Sequence, residues 1–108
     1  GATPVAPTPA FAHQHQEPKE ERRFPVAYAE GVRQLTFREL FNWAGLPVLP
    51  GLPATSFPVG LDADGLPISA QAVGPYLEDK TTIAFAHLFE QAHGGFVPPP
   101  GYAVEAQA

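Results

Sequence analysis

The stretch ATSFPVGLDADGLPISAQAV, residues 54–73, carries the clearest local signal for a fold in this 108-residue chain. Its centre, DADG at residues 62–65, is a turn signal, because Asp tolerates unusual backbone angles and Gly allows a positive φ. The residues on either side alternate in polarity well enough to form two strands. Two strands joined by a short Gly-containing loop predict an antiparallel β-hairpin. Pro58 and Pro67 lack a backbone N–H, so each should lie at a sheet edge, a bulge or a strand end.

Helix signals flank the hairpin on both sides. Thr36 and Glu39 have the spacing of a capping box, in which a hydroxyl and a carboxylate three residues apart satisfy unpaired backbone N–H groups. An apolar stripe follows, so a first helix is expected at residues 36–44. Beyond the hairpin, a wide apolar arc predicts a second helix at residues 79–93, with burial on more than one side.

The remaining segments are rich in proline and predict little regular structure. Residues 1–35 are expected to be extended or loop, with one short strand at Pro25–Tyr28, and residues 96–108 to form a Pro-rich tail. The expected fold class is α+β, with an antiparallel β-hairpin plus one or two short strands packed with two helices. Residues 1–108 are expected to form a single unit, since a chain of this length holds one domain at most.

The composition indicates a piece of a larger protein. Only 16 % of the residues are charged, against roughly 25 % in an average soluble domain. A small domain has a high ratio of surface to volume and should therefore need more charge than average. The shortage predicts a surface that is partly apolar, as expected for a segment that packs against missing protein.

Charge and residue usage exclude several classes of partner. The net charge is −5, and the few basic residues form no stripe for nucleic acid to bind. No apolar run approaches the roughly 20 residues of a membrane span. Cysteine is absent, which removes disulfides and thiolate metal sites. With no signal peptide visible, the expected localisation is cytoplasmic.

Serine chemistry is not supported by the sequence. Ser56 and Ser69 are the only serines, and both fall inside the predicted strands. An activated serine needs a base within hydrogen-bond reach and donors for an oxyanion. Neither serine has a neighbouring base or a Gly-rich turn, so both are interpreted as structural polar residues.

Histidine offers only a weak metal hypothesis. His13 and His15 would share one side of an extended strand, but Glu17 is the only nearby third ligand, and real ligand sets have stronger spacing. His87 and His93 are six apart on the predicted helix and cannot share a ligand. We therefore expect no metal site and no cofactor.

The lysines and the turn aspartates have simpler explanations than catalysis. Lys19 lies in a cluster of glutamates and Lys80 in the first turn of a helix, so neither has the burial that lowers the pKa of a catalytic lysine. Asp62 and Asp64 are explained by the turn. Trp43, beside a Pro-rich loop, is the one candidate for lining a substrate pocket, with core packing as the alternative. No catalytic residue is expected.

A resemblance emerges along residues 42–75. NWAGLPVLPGLPATSFPVGLDADGLPISAQAVGP resembles the C-terminal region of amidase-signature enzymes, in which a Trp-Ala-Gly-Leu stretch leads to a Pro-rich strand, a Gly-Leu-Pro turn and a strand carrying Gln. Gln71 occupies the matching place. Upstream, TPVAPT at residues 3–8 is similar to a Pro-rich strand of the family. Ala12 and Gln14 depart from the aromatic-Pro-His-Asp-His stretch that follows it.

The resemblance implies a partial piece of a mixed-sheet fold. Family members are hydrolases that cleave amide C–N bonds through a Ser–cis-Ser–Lys triad, which lies in a Gly/Ser-rich segment upstream of this region. No residue of this chain matches that segment, so no catalytic residue is carried over. The implied partner is the remainder of an amidase chain, or a second copy through exposed strand edges. The alternative is a stand-alone interaction module without a catalytic role.

Overall fold

The computed structural model describes residues 1–102, so the last six residues of the expected tail lie outside the described part. The chain forms five strands and two α-helices, with short 3₁₀ turns at Lys19–Glu21 and Glu39–Phe41. This is an α+β fold with two antiparallel sheets, as expected for a partial amidase-signature fold. The elements are β1 (Ala2–Pro4), β2 (Arg23–Tyr28), β3 (Gly31–Thr36), α1 (Asn42–Gly45), β4 (Ala54–Leu61), β5 (Pro67–Val73) and α2 (Asp79–His93).

The predicted hairpin is β4 and β5, and it forms most of a three-stranded sheet in the order β1-β5-β4. Asp62 closes its turn, because the Asp62 Oδ1 accepts hydrogen bonds from the Asp64 N–H at 2.9 Å and the Leu66 N–H at 2.8 Å. Pro67 is the first residue of β5, and the ladder shifts register just after Pro58. Both prolines therefore lie where a missing N–H disturbs the ladder least.

The turn makes a direct stability prediction. Replacing Asp62 with alanine removes an acceptor that serves two backbone N–H groups, so we expect the free energy of unfolding to fall by about 1 kcal/mol. Asp64→Ala is the matched control, because its carboxylate accepts no hydrogen bond within residues 1–102. Thermal unfolding followed by circular dichroism measures both. Equal midpoints for the two variants would contradict this account of the turn.

Helix α2 has the predicted bounds and packs on one face of the three-stranded sheet. The Phe57 ring of β4 meets the Phe89 ring at 4.8 Å, and Thr82 is buried against Thr55. The opposite side of the apolar arc is open in the described structure, since Ile83 is 58 % exposed and Leu88 63 %. The sequence therefore presents a second apolar face that nothing in residues 1–102 covers.

A second hairpin, β2–β3, stands apart from this sheet and has its own small core. The prediction of a short strand at Pro25–Tyr28 is confirmed within β2, but β3 falls in a region expected to be extended or loop without a partner. The strand pattern of β3 is weak because Val32 and Leu35 are three residues apart and so lie on opposite faces. The core residues are Phe24, Val26, Leu35 and Leu40, with Phe37 packed against them.

The helix predicted at residues 36–44 is wrong in its extent. Thr36 is the last residue of β3, a 3₁₀ turn follows, and α1 is only Asn42–Gly45. The capping box itself forms: the Glu39 N–H donates to Thr36 Oγ1 at 3.2 Å, and the Thr36 N–H donates to Glu39 Oε2 at 3.4 Å. The box caps a turn and not a long helix, because pairing with β2 holds Thr36 in the sheet and short helices have little stability of their own.

Candidate functional site

The side chains of the three-stranded sheet divide between two faces. Thr3, Gln71 and Ser56 are register partners across β1, β5 and β4, so their side chains share one face. Phe57 and Thr55 contact α2, which covers the other face. We call Thr3, Gln71 and Ser56 the polar row. It carries amide and hydroxyl groups but no charge.

Gln71 lies at the centre of the polar row and ties three parts of the chain together. It is only 4 % exposed. The Nε2 donates to the Trp43 carbonyl oxygen at 2.7 Å and to Thr3 Oγ1 at 3.1 Å, and it approaches the Pro4 carbonyl oxygen at 3.5 Å. These partners are 28, 68 and 67 residues away in sequence. The amide therefore fixes α1 and β1 to the central strand.

Trp43, the candidate for a pocket wall, lies on α1 beside the polar row. Its carbonyl is held by Gln71, and the residue is 40 % exposed, so it is not a fully buried core residue. None of three surface grooves formed by residues 1–102 includes Trp43 in its lining. Lining of a substrate pocket by Trp43 thus stays a prediction about a pocket that other protein would complete.

The two serines lie in β4 and β5 as expected. Ser56 shares a groove of about 380 Å³ with His87 and Glu90, a residue set that invites comparison with a catalytic triad. However, the His87 Nδ1 is 4.0 Å from Glu90 Oε2, both side chains are largely exposed, and within residues 1–102 no hydrogen bond joins Ser56 to His87. The arrangement lacks the oriented base that activates a serine.

The other predicted site residues are not brought together. The rings of His13 and His15 lie 6.0 Å apart, but the described residues contain no group of three side chains able to hold a metal ion. The Lys19 ammonium lies over the Phe37 ring at 5.3 Å, a surface cation–π contact. Lys80 lies in the first turn of α2. Among residues 1–102, no helix is both long and apolar enough to cross a bilayer.

One concave feature was not anticipated from the sequence. The Pro-rich segment after β1 folds back beside the sheet and forms a groove of about 530 Å³, whose lining includes Thr3, Thr8 and Ser69. Proline and alanine supply most of the remaining lining, at Pro4, Ala6, Pro7, Pro9, Ala10, Pro67 and Ala70. The groove has no charged side chain and no base, so it offers shape and hydroxyl groups but no reactive centre.

The described part of the chain thus presents amide and hydroxyl groups on a sheet and lacks a nucleophile with its base. This pattern defines a structural portion of a protein and not a complete reaction centre. Residues 2–83 match the family model described as Amidase. The match covers most of the chain, and the chain belongs to the amidase family.

Several curated relatives support the same family. One is a glutamyl-tRNA(Gln) amidotransferase subunit of Allorhizobium ampelinum, 38 % identical over 97 residues, which cover 89 % of this chain but 17 % of the relative. The subunit of the same name from Exiguobacterium sp. is 49 % identical over 55 residues, covering 50 % and 11 %. Fatty-acid amide hydrolase 2-A of Danio rerio is 41 % identical over 59 residues, covering 55 % and 11 %.

The chain therefore spans less than a fifth of the length of these relatives. No solved structure matches it.

Proposed function

We propose that this chain is the C-terminal portion of an amidase-signature hydrolase, without catalytic activity by itself. In the complete enzyme, which cleaves amide C–N bonds, it supplies part of the core and a wall of the substrate pocket. The observation that carries the proposal is the family match at small coverage: 89 % of this chain aligns with only 17 % of a relative. For the complete enzyme we also propose the cytoplasm, since a cysteine-free sequence suits a reducing compartment.

The exposed area supports an incomplete body. The accessible surface is 8419 Å², whereas a compact monomer of 11.5 kDa is expected to expose about 5,800 Å². The radius of gyration is 16.3 Å, against about 13 Å for a compact domain of this length. The excess of about 2,600 Å² on this chain alone reaches the range of obligate interfaces.

The character of the exposed surface supports the same proposal. Leu49 is 96 % exposed, and the open side of α2 presents Ile83 and Leu88. Apolar patches of this extent mark surfaces that other protein covers. We infer that the missing bulk of an amidase packs against the outer side of α2 and against the loop around Leu49.

An activity assay on the isolated chain tests the proposal. We expect no hydrolysis of simple amide substrates, because no base within residues 1–102 is held against Ser56 or Ser69. Ser56→Ala and Ser69→Ala are the matched variants. Turnover that disappears in either variant would overturn the proposal, whereas turnover that survives both variants would come from a contaminating enzyme.

A second candidate function, a stand-alone interaction module, is favoured by one observation. Strand β4 pairs with β5 on one side only, so in the described structure its other edge presents unpaired backbone groups. Open edges pair readily with another strand, including that of a second copy. Light scattering discriminates the candidates: a defined dimer that Val59→Lys dissociates supports the module, and a well-folded monomer at high concentration counts against it.

A further inference from the structure

We propose that Gln71 is a positioning residue, which holds the backbone of Trp43 against the sheet and so fixes where this aromatic side chain stands beside the polar row. That Trp43 forms part of a pocket wall rests on the proposed function. The link between Gln71 and Trp43 rests only on the described geometry, and the experiment below tests it without any assay of activity.

The first step is the hydrogen bonding of the Gln71 amide. An amide NH₂ carries two protons, and the shortest contacts of Nε2 are the Trp43 carbonyl oxygen at 2.7 Å and Thr3 Oγ1 at 3.1 Å. Each proton therefore has an acceptor on a different element. Because Gln71 is almost completely buried, loss of these donors leaves two acceptors without their partner.

The second step is the weakness of α1 on its own. This helix has four residues and no side-chain cap at its N-terminus. The Trp43 carbonyl receives one local backbone bond, from the Leu46 N–H at 3.3 Å. A single turn is far below the length at which helices are stable in isolation. A tertiary bond of 2.7 Å from Gln71 is therefore the strongest single restraint on the Trp43 backbone among the described contacts.

The third step is that no other amide in the sheet can substitute. The neighbours of Gln71 across the ladder are Thr3 and Ser56, whose hydroxyl groups are too short to span from the sheet to α1. The row is also uncharged, so the position of Trp43 is fixed by neutral hydrogen bonds. If the proposed function holds, Gln71 thereby sets the shape of the aromatic wall that a substrate meets.

The test uses the fluorescence of Trp43, which is the single tryptophan of the chain. In Gln71→Leu the side-chain volume is nearly kept and both donors are lost, so we expect acrylamide quenching of Trp43 to rise about twofold as α1 detaches locally. A rise to full exposure from 40 % sets the upper limit. Gln34→Leu, at an exposed position of β3, is the matched control and is expected to leave the quenching unchanged.

A second variant gives a readout that lost packing alone does not produce. In Gln71→Glu the introduced carboxylate cannot donate at neutral pH, but once protonated it can donate again to the Trp43 carbonyl. Burial raises the pKa of this carboxyl above the ordinary value of about 4.3. Its neighbours Thr3, Pro4, Ser56 and Trp43 carry no titratable side chain. We therefore expect Trp43 quenching to return toward the wild-type value as the pH falls, while wild type changes little.

Wild-type protein keeps the proposal falsifiable if the variants unfold. By NMR, the side-chain amide protons of Gln71 are expected to exchange at least about tenfold more slowly than those of Gln34. Equal exchange rates, or equal quenching in folded Gln71→Leu and Gln34→Leu, would overturn the proposal. Amide hydrolysis by the isolated chain would overturn the proposed function and leave the Gln71 result intact, so the two failures are distinguishable.

Discussion

Replacing Phe57 with alanine is expected to release α2 from the three-stranded sheet. Phe57 is 6 % exposed, and its ring contacts the rings of Phe89 at 4.8 Å and Phe85 at 5.7 Å, so it is the centre of the interface between sheet and helix. Truncation of a buried Phe typically costs about 3–5 kcal/mol, from lost transfer free energy and the cavity left behind. Such a loss is a large fraction of the stability of a small chain.

The matched control for this prediction is Phe96→Ala. The same atoms are removed there, but Phe96 is 77 % exposed, and the free energy of unfolding should change by no more than about 0.5 kcal/mol. Denaturant unfolding measures the difference, and amide exchange along α2 localises it. If both variants lose the same stability, Phe57 does not hold the helix and this description of the interface fails.

Replacing Gly74 with alanine is expected to destabilise the same interface from the opposite side. A Cβ at this position would stand 2.7 Å from Thr82 Cγ2. Thr82 cannot turn away without cost, because its hydroxyl donates to the Asp79 carbonyl at 2.9 Å and accepts from Thr55 at 2.8 Å. Overpacking of this kind typically costs about 1–3 kcal/mol.

Gly45→Ala is the control for the glycine prediction. Gly45 lies in α1, a Cβ there meets nothing within 4 Å, and its φ is not positive. Alanine should therefore leave stability unchanged or raise it by up to about 1 kcal/mol through helix propensity. The two glycine variants are thus expected to shift the unfolding midpoint in different directions. A fall of the same size in both would show that Gly74 is not a close-packing position.

Local chemistry explains which elements were predictable from sequence. The hairpin β4–β5 and helix α2 each carry their own signals, namely the turn at residues 62–65 and the apolar arc of the helix. Those signals act between residues that are close in sequence, so one sequence suffices to read them. The capping box of Thr36 and Glu39 was also predictable, and its two hydrogen bonds form.

The errors arose where tertiary contacts override local preference. Residues 36–44 carry a helical pattern, but pairing of Thr36 with Arg23 keeps the start of this segment in a sheet. Strand β3 lacks regular alternation, so only its pairing with β2 identifies it.

The candidate site was the least predictable part. Gln71 meets its partners across 28 and 68 residues of sequence, and no spacing rule connects a glutamine in one strand to the carbonyl of a distant turn. The sequence identified Gln71 only through family resemblance, and Trp43 only as an aromatic residue beside a loop. Their connection became visible once β1, β5 and α1 were placed together.

The bulge near Pro58 has a consequence for the time before the enzyme is assembled. An open strand of eight residues is a template on which identical chains can stack into fibrils. Proline removes a donor from that template, and the register shift between Pro58 and Gly60 bends it. A nascent enzyme carrying this segment would therefore resist fibril growth during the interval in which the strand awaits its neighbour.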